Sequence, residues 1–509
     1  MSLLPFLLVT FIVGGLSLLT RPYSRWSGAV GFAGLGLAIV TAAGIGPGDS
    51  FVVAGGAISG TEFARLFLMI GSVAGLLLCL VALMPNLPPA LPGATLVGLG
   101  GAGLALGVVD TGTAVAAATA GAVVGILLTL IRPVSQHGLI VAARELRALV
   151  VAGALGLAAT AAVAGPLAAV RLNPELIGLA YLAFAVAVAI RLGAIPFHLW
   201  AARVADAAPE VGLPLIMAWG PAAFAAVALA WADGAVAPLG QSLGLERGLI
   251  VVIGAVSIGL GTAAAAAHDD LEHVVGYSIV ADAGIILLGI AVLDPAAWEP
   301  TRIWLLAFVA GKSAFAAWAA AMRATFGTNR LTELRGWARR APILALALGA
   351  IVVAGVGWPG MAVFGARASL IVLAVDGPLA SALLAAALGS VLYYGRLLVI
   401  GFLPPGPAVV AGIGGRGPEP VAFQGRFTFL FDARAAWSAN RAAIAGAVVL
   451  VLASVAVAVS GGGLGMREAA AGLPPAEVAP GESLTPANPF EEPSSGPAES
   501  PDPLASGAP

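Results

Sequence analysis

Apolar runs long enough to cross a bilayer recur from Ser2 to about Ser460, and no other feature constrains this chain so tightly. A crossing helix needs about 20 such residues for ~30 Å of hydrocarbon. Only 10% of the 509 residues are charged, against about 25% in an ordinary soluble domain, so bulk water cannot be the main solvent. The 68 glycines, with many alanines, let helices approach closely, as membrane bundles require where lipid supplies no hydrophobic drive. The first apolar run is read as a span, because Met1 to Pro5 carries no basic segment and no cleavage pattern follows. A single cysteine, Cys79, excludes a disulfide framework and a thiolate metal or iron-sulfur site. Redox chemistry would therefore belong to a partner.

Charged, proline-rich or glycine-rich interruptions divide the apolar runs into spans near 2–20, 27–46, 63–84, 92–109, 112–131, 147–169 and 173–194, then 210–232, 247–267, 273–293, 301–322, 341–375, 378–403 and 440–461. The expected fold is an all-α integral membrane protein of about 14 transmembrane helices. Span 7 runs into Pro196 within RLGAIPFHLW, and span 12 is interrupted by GVGWPG around Pro359. Proline removes a backbone donor and clashes with the preceding turn, so both helices are expected to break. Paired broken helices in two halves of a membrane protein point to a transport site. The breaks lie five spans apart, which makes spans 4–8 and 9–13 candidate repeats, the second inverted because five is odd.

Arginine placement tests the count independently. Loops after odd-numbered spans, with the adjoining span ends, hold sixteen arginines, among them Arg21, Arg132, Arg323 and Arg396, whereas even-numbered loops hold Arg65, Arg171, Arg247 and Arg302, with Arg467 after the last span. The positive-inside rule puts the odd loops in the cytoplasm and both termini outside an inner (plasma) membrane. The membrane domain is expected over 1–463, with a Gly/Pro-rich cytoplasmic loop at 404–439. Residues 464–509 form a Pro, Ala, Ser and Glu-rich tail expected to be disordered, an uncommitted extension rather than a binding module.

Three clusters carry chemistry. The chain's one lysine, Lys312, lies near the middle of span 11 in WLLAFVAGKSAFAAW. A charge at that depth costs at least about 2.5–3.5 kcal/mol on insertion scales. A lysine, unlike an arginine, can load and release a proton there, so a proton relay is the functional reading and a structural ion pair the bland one. Around the first break, Arg191 precedes Pro196 and His198 follows it, with Asp206 and Glu210 beyond; His198 either shuttles protons or pins the broken segment. The third cluster runs from His268 through Asp269, Asp270, Glu272 and His273 to Asp282. Its first part is expected to be a solvated turn, whereas Asp282 lies within span 10 and needs a cation or a proton. Glu145 and Arg147 are placed at the start of span 6, near the interface, where a surface pair is worth little.

Together these stretches resemble the proton-conducting antiporter-like subunits shared by complex I, membrane-bound hydrogenases and multi-subunit cation/proton antiporters. RLGAIPFHLW…DAAPEVGLP is similar to the family's Lys-x-x-x-x-Pro-Phe-His-x-Trp…Ala-Pro-x-Pro signature. DLEHVVGYSIVADAG, AGKSAF, LTELRGWARRAP, AGVGWPGMAVFGAR and LYYGRL follow in the family's order, so that the resemblance covers roughly 60–400. It implies a subunit of a redox-driven, proton-conducting, NADH-quinone oxidoreductase-like complex, with Lys312 as the central relay and Arg191, His198, Asp282 and Arg367 as its electrostatic neighbours. It also implies other membrane and peripheral subunits as partners besides the lipid bilayer, quinone only through those subunits, no cofactor or metal of its own and no nucleic acid. The chain departs from the family at Arg191, where a lysine is usual, and at Pro221, which takes the place of the span 8 lysine. The span 5 glutamate is missing, with Ala122 near its position, and Glu145 stands only 46 residues before Arg191. A non-pumping scaffold and a cation/proton antiporter or ion-coupled uptake subunit are the alternatives.

Overall fold

The computed structural model describes residues 1–53, 56–83, 87–130, 136–163, 174–237, 243–406 and 433–460. The expected tail at 464–509 lies outside the described residues, as do 407–432 of the expected loop at 404–439, whose last residues, 433–439, instead belong to the helix Ala433–Ser460. Among those residues ten helices are long and apolar enough to cross a membrane: Ser24–Ala43, Glu62–Ala82, Thr111–Thr129, Gly138–Val163, Glu210–Val236, Gly244–Ala267, Leu271–Val292, Pro295–Phe326, Gly377–Phe402 and Ala443–Ser460. Four shorter apolar helices, Leu4–Leu19, Leu91–Gly107, Pro342–Val356 and Ala362–Ala374, join them, as does the 18-residue helix Pro174–Arg191. The protein is thus a multi-span α-helical membrane protein.

Local chemistry explains several boundaries. Thr61 accepts a hydrogen bond from the Ala64 amide at 3.1 Å and starts the helix after it. Asp110 does the same for Thr113 at 2.7 Å, a capping task that satisfies one of the four free amides at a helix start. An antiparallel hairpin of Ser50–Val53 and Gly56–Ser59, which pairs Phe51 with Ile58 between the first and second long helices, has no counterpart among the expected spans.

Both expected breaks are present. Pro174–Arg191 ends before a turn in which Gly193 has φ 63°, and the chain resumes as Leu199–Ala207. The indole of Trp200 donates to the Ile190 carbonyl at 2.8 Å, and the Ile195 amide donates to Ser257 Oγ at 2.9 Å. In the second case Pro342–Val356 stops at Gly357, with φ 73°, and Ala362–Ala374 follows Gly360, with φ 98°. An L side chain avoids such positive φ values. Two further interruptions were not foreseen: Thr111–Val123 yields to Ile126–Thr129 at Gly125, and Gly377–Leu388 yields to Ser390–Phe402 at Gly389.

Three helices form the centre of the bundle. The apolar windows of Glu210–Val236, Leu271–Val292 and Pro295–Phe326 are 94%, 89% and 89% buried, against 56% or less in the other seven long helices. Lipid therefore cannot serve as their neighbour, and any polar group on them must be satisfied by protein or water. Close approach is what glycine permits here: a Cβ at Gly284 would lie 2.4 Å from the Gly254 carbonyl of the adjacent helix.

Candidate functional site: a buried ion pair beside a broken helix

Lys312 lies on the central helix Pro295–Phe326 and is only 3% exposed. Its ammonium meets Asp282 Oδ2 at 2.6 Å and donates to Ser278 Oγ at 3.1 Å. Asp282 and Ser278 are one turn apart on Leu271–Val292, so a single helix face presents both acceptors. The Ser278 hydroxyl in turn donates to the Val275 carbonyl at 2.7 Å, which fixes its lone pairs toward the lysine. Trp304 donates to the Asp282 backbone carbonyl at 3.2 Å. The bland and the functional expectations for Lys312 thus meet in one geometry, because the group that could relay a proton is held by an ion pair.

Arg367 is 1% exposed and reaches back across the second break. Its Nη1 donates to the Val356 carbonyl at 2.6 Å and its Nη2 to the Gly355 carbonyl at 2.5 Å. These belong to the last turn of Pro342–Val356, where carbonyls lack intrahelical donors and the helix dipole is negative. The guanidinium therefore caps a half-helix and lies 4.7 Å from the Trp304 ring centroid. A cavity runs between Asp282, Lys312, Gly355, Val363, Tyr394 and Ser454. About 20 Å³ of it is open to the centre of a water molecule, and one water needs about 10–15 Å³.

Arg191 and His198 lie elsewhere. Arg191 is the last residue of its half-helix, 1% exposed, and sits 5.7 Å from the Phe224 ring centroid. It shares a second cavity with Glu145, Trp200, Gly125 and Gly220. Glu145 is 1% exposed, which overturns its placement near the interface. It falls in register with Val141, Leu149 and Ala152 on a buried stripe of Gln136–Val163, while Arg144 and Arg147 on either side are exposed. That stripe of i, i+4 and i+7 or i+8 positions was the available signal, hidden by the flanking arginines.

His198 stands in a row at the arginine-rich end. Its ring centroid is 6.4 Å from that of Tyr277, which is 4.7 Å from His268, which stacks on His273 at 4.9 Å. His273 Nε2 meets Asp206 Oδ1 at 3.0 Å and so ties the two halves of the sequence together. Nearby, Arg323 Nη1 bridges Glu210 at 2.8 Å and Glu272 at 3.1 Å. The solvated-turn reading of this stretch fails for Glu272, which is 5% exposed, because the turn docks against these other helices. Arg302, placed by the sequence reading with a loop, is a fully buried residue over the Trp298 ring at 4.2 Å, within electrostatic reach of Asp233.

The two cavities are linked through the central helices. Trp219, next to Gly220 in the first cavity, donates to Ser313 Oγ at 2.9 Å, and Ser313 adjoins Lys312. Tyr181 donates to the Ile290 carbonyl at 2.8 Å and ties Pro174–Arg191 to Leu271–Val292.

Residues 108–392 match the family described as NADH:quinone oxidoreductase/Mrp antiporter, TM. NADH-quinone oxidoreductase subunit N of Geobacillus kaustophilus (strain HTA426) is 29% identical over 251 residues, 46% of this chain and 49% of that protein. Subunit N of Halorhodospira halophila (strain DSM 244 / SL1) is 29% identical over 220 residues, 42% of this chain and 45% of the relative. The matches thus span about half the length, or less, of these curated relatives. Among solved structures, a chain of the Mrp complex from Dietzia sp. DQ12-45-1b superposes with a TM-score of 0.74 at 20% identity, over 92% of this chain and 96% of that one. A chain of respiratory complex I from Thermus thermophilus with bound aureothin gives 0.66 at 20% identity, over 92% and 100%.

Proposed function

Because the chain belongs to the NADH:quinone oxidoreductase/Mrp antiporter family of membrane proteins, we propose that it is an antiporter-like subunit of a redox-driven, proton-translocating membrane complex. The observation that carries this reading is the Lys312–Asp282 pair, buried at mid-helix beside a broken helix and a cavity with room for water. An ammonium held by one carboxylate and one hydroxyl can pass a proton to cavity water and take another from it. Asp282 is the fixed counter-charge. Arg367 holds the end of the half-helix in place and keeps a second positive charge next to the relay. Charge movement in a neighbouring subunit would bias Lys312 electrostatically, with no redox group required in this chain.

In this reading Leu4–Leu19, Leu91–Gly107, Pro174–Arg191 and the pair of half-helices Pro342–Val356 and Ala362–Ala374, which together make one crossing, bring the ten long helices to fourteen crossings, of which spans 4–8 and 9–13 form inverted repeats with the breaks at helices 7 and 12. The arginine-rich end faces the cytoplasm of a plasma membrane, and both termini lie outside. The membrane domain covers 1–463, and 464–509 is an appended tail. The partners are further membrane and peripheral subunits, through which alone quinone is reached. His198, in its row of rings at the arginine-rich end, is the proposed entry from the cytoplasm. A second reading, a scaffold that no longer pumps, draws on the missing span 5 glutamate and on Pro221, which occupies the position where the family resemblance implies the span 8 lysine.

Lys312→Arg separates the two. A guanidinium keeps the ion pair with Asp282 and so keeps assembly, but it does not release a proton. In vesicles containing the whole complex, the variant is expected to retain assembly and to lose protons moved per turnover. Wild-type pumping by this variant would rule out the relay and leave the scaffold.

A further inference from the structure

We infer that Glu145 is the proton-exchanging group of the first half and that Arg191 is its permanent counter-charge, an inference that rests on the proton-conducting reading above. Both side chains are 1% exposed and line one cavity. None of the three nitrogens of Arg191 has a hydrogen-bond partner among the described residues, and the Glu145 carboxylate, without a partner in good hydrogen-bonding geometry, has the Thr129 side chain as its one polar neighbour besides Arg191. A guanidinium carries five N–H donors and a carboxylate about four acceptor positions. Leaving such groups unsatisfied in a buried site is costly, and native structures satisfy them with protein or ordered water.

The surroundings are shaped for water. About 20 Å³ of the cavity is open to a water centre, enough for at least one molecule at about 10–15 Å³ each. Two glycines adjoin the charged ends. A Cβ on Gly125 would lie 3.5 Å from Glu145 Oε1, and one on Gly220 would lie 3.3 Å from Arg191 Nη2. Gly125 is also where the helix Thr111–Thr129 is interrupted, so a break faces the carboxylate.

Chemistry assigns the roles. Arginine stays protonated under any physiological condition, so a proton entering this cavity cannot be carried by Arg191. A carboxyl can carry it: the acid releases a proton to cavity water and becomes a carboxylate facing the guanidinium, and the reverse step restores the acid. The second half uses the opposite arrangement, in which the cation exchanges the proton and Asp282 stays fixed. A direct 2.6 Å contact holds that pair, whereas Glu145 and Arg191 make no direct hydrogen bond and are left to interact across the cavity. The weaker hold is what lets a carboxyl visit both protonation states.

The test uses the purified whole complex, in solution for infrared spectra collected across pH and in vesicles for protons moved per turnover. Glu145→Gln is expected to remove a protonated-carboxyl band from the pH-difference spectrum and to lower the proton count, while Arg191→Lys keeps both. Glu145→Asp keeps a titrating acid and covers the case in which the glutamine variant fails to assemble; its band should shift and pumping should persist. An unchanged pH-difference spectrum in Glu145→Gln, or in Glu145→Asp if only that variant assembles, overturns the inference, as does a wild-type proton count in Glu145→Gln. Failure of the wider reading looks different, since Lys312→Arg would then pump normally. Loss of pumping in Lys312→Arg with none in Glu145→Gln would sink the role of Glu145 alone.

Discussion

If Lys312 and Asp282 act as one unit, their losses will not add. The perturbations are Lys312→Met, Asp282→Asn and the double variant, methionine being close to lysine in volume and adaptable in packing. Stranding one member of a buried ion pair costs about 3–5 kcal/mol, whereas replacing both members with neutral groups is often neutral or stabilising. Each orphan here keeps some solace: the ammonium retains Ser278 Oγ at 3.1 Å, and Asp282 is 15% exposed toward a cavity with room for water. The low end of the range therefore applies, about 3 kcal/mol for each single variant. Additivity would put the double variant about 6 kcal/mol below wild type, whereas coupling puts it within about 1 kcal/mol. Equilibrium unfolding in mixed detergent micelles, followed by the fluorescence of the ten tryptophans, resolves a gap of that size. A double variant that loses the sum of the singles would refute the pairing and, with it, the role of Asp282 as counter-charge.

Two further outcomes follow from the same geometry. Arg367→Met leaves the Gly355 and Val356 carbonyls without their donors; at about 1–3 kcal/mol for each unsatisfied buried group, the variant should unfold at lower denaturant than wild type, and an unchanged midpoint would mean that the cap contributes nothing. Orientation is checked by reporters: a fusion after Ser460 should read as external and one near Arg339 as cytoplasmic, and the opposite pair would invert the proposed topology.

How much could be read in advance depended on how local each signal was. Lys312 was legible because a lone lysine amid some twenty apolar residues has few explanations, and Asp282 followed as the acid one span away. The breaks at Pro196 and Pro359 were legible because proline acts on its own turn. Arg367 could be named by resemblance, but its task could not, since the carbonyls it caps lie 11 and 12 residues back across a break whose path only the fold defines. Glu145 was misplaced because Arg144 and Arg147 suggested an interface, although the helix turns those two outward and the glutamate inward. Glu272 reads from its neighbours as part of a solvated turn, and its partner Arg323 lies 51 residues away. Sequence spacing carries no information about such a meeting.

The placement of the two arginines explains why the halves differ chemically. A broken helix exposes carbonyls at its first half's C-terminal end, where a cation is favoured by both hydrogen bonding and the helix dipole. In the second half Arg367 takes that task directly, with two donors on the Gly355 and Val356 carbonyls. Its charge is thereby fixed to the backbone, and a separate cation, Lys312, pairs with Asp282 and in the proposed reading exchanges the proton. In the first half the indole of Trp200 satisfies the Ile190 carbonyl, so that Arg191 is released from capping and turns its donors into the cavity that holds Glu145. One structural need is met by an arginine in one half and by a tryptophan in the other, and on the proton-conducting reading proposed above that difference decides which partner is fixed: the carboxylate in the second half and the guanidinium in the first.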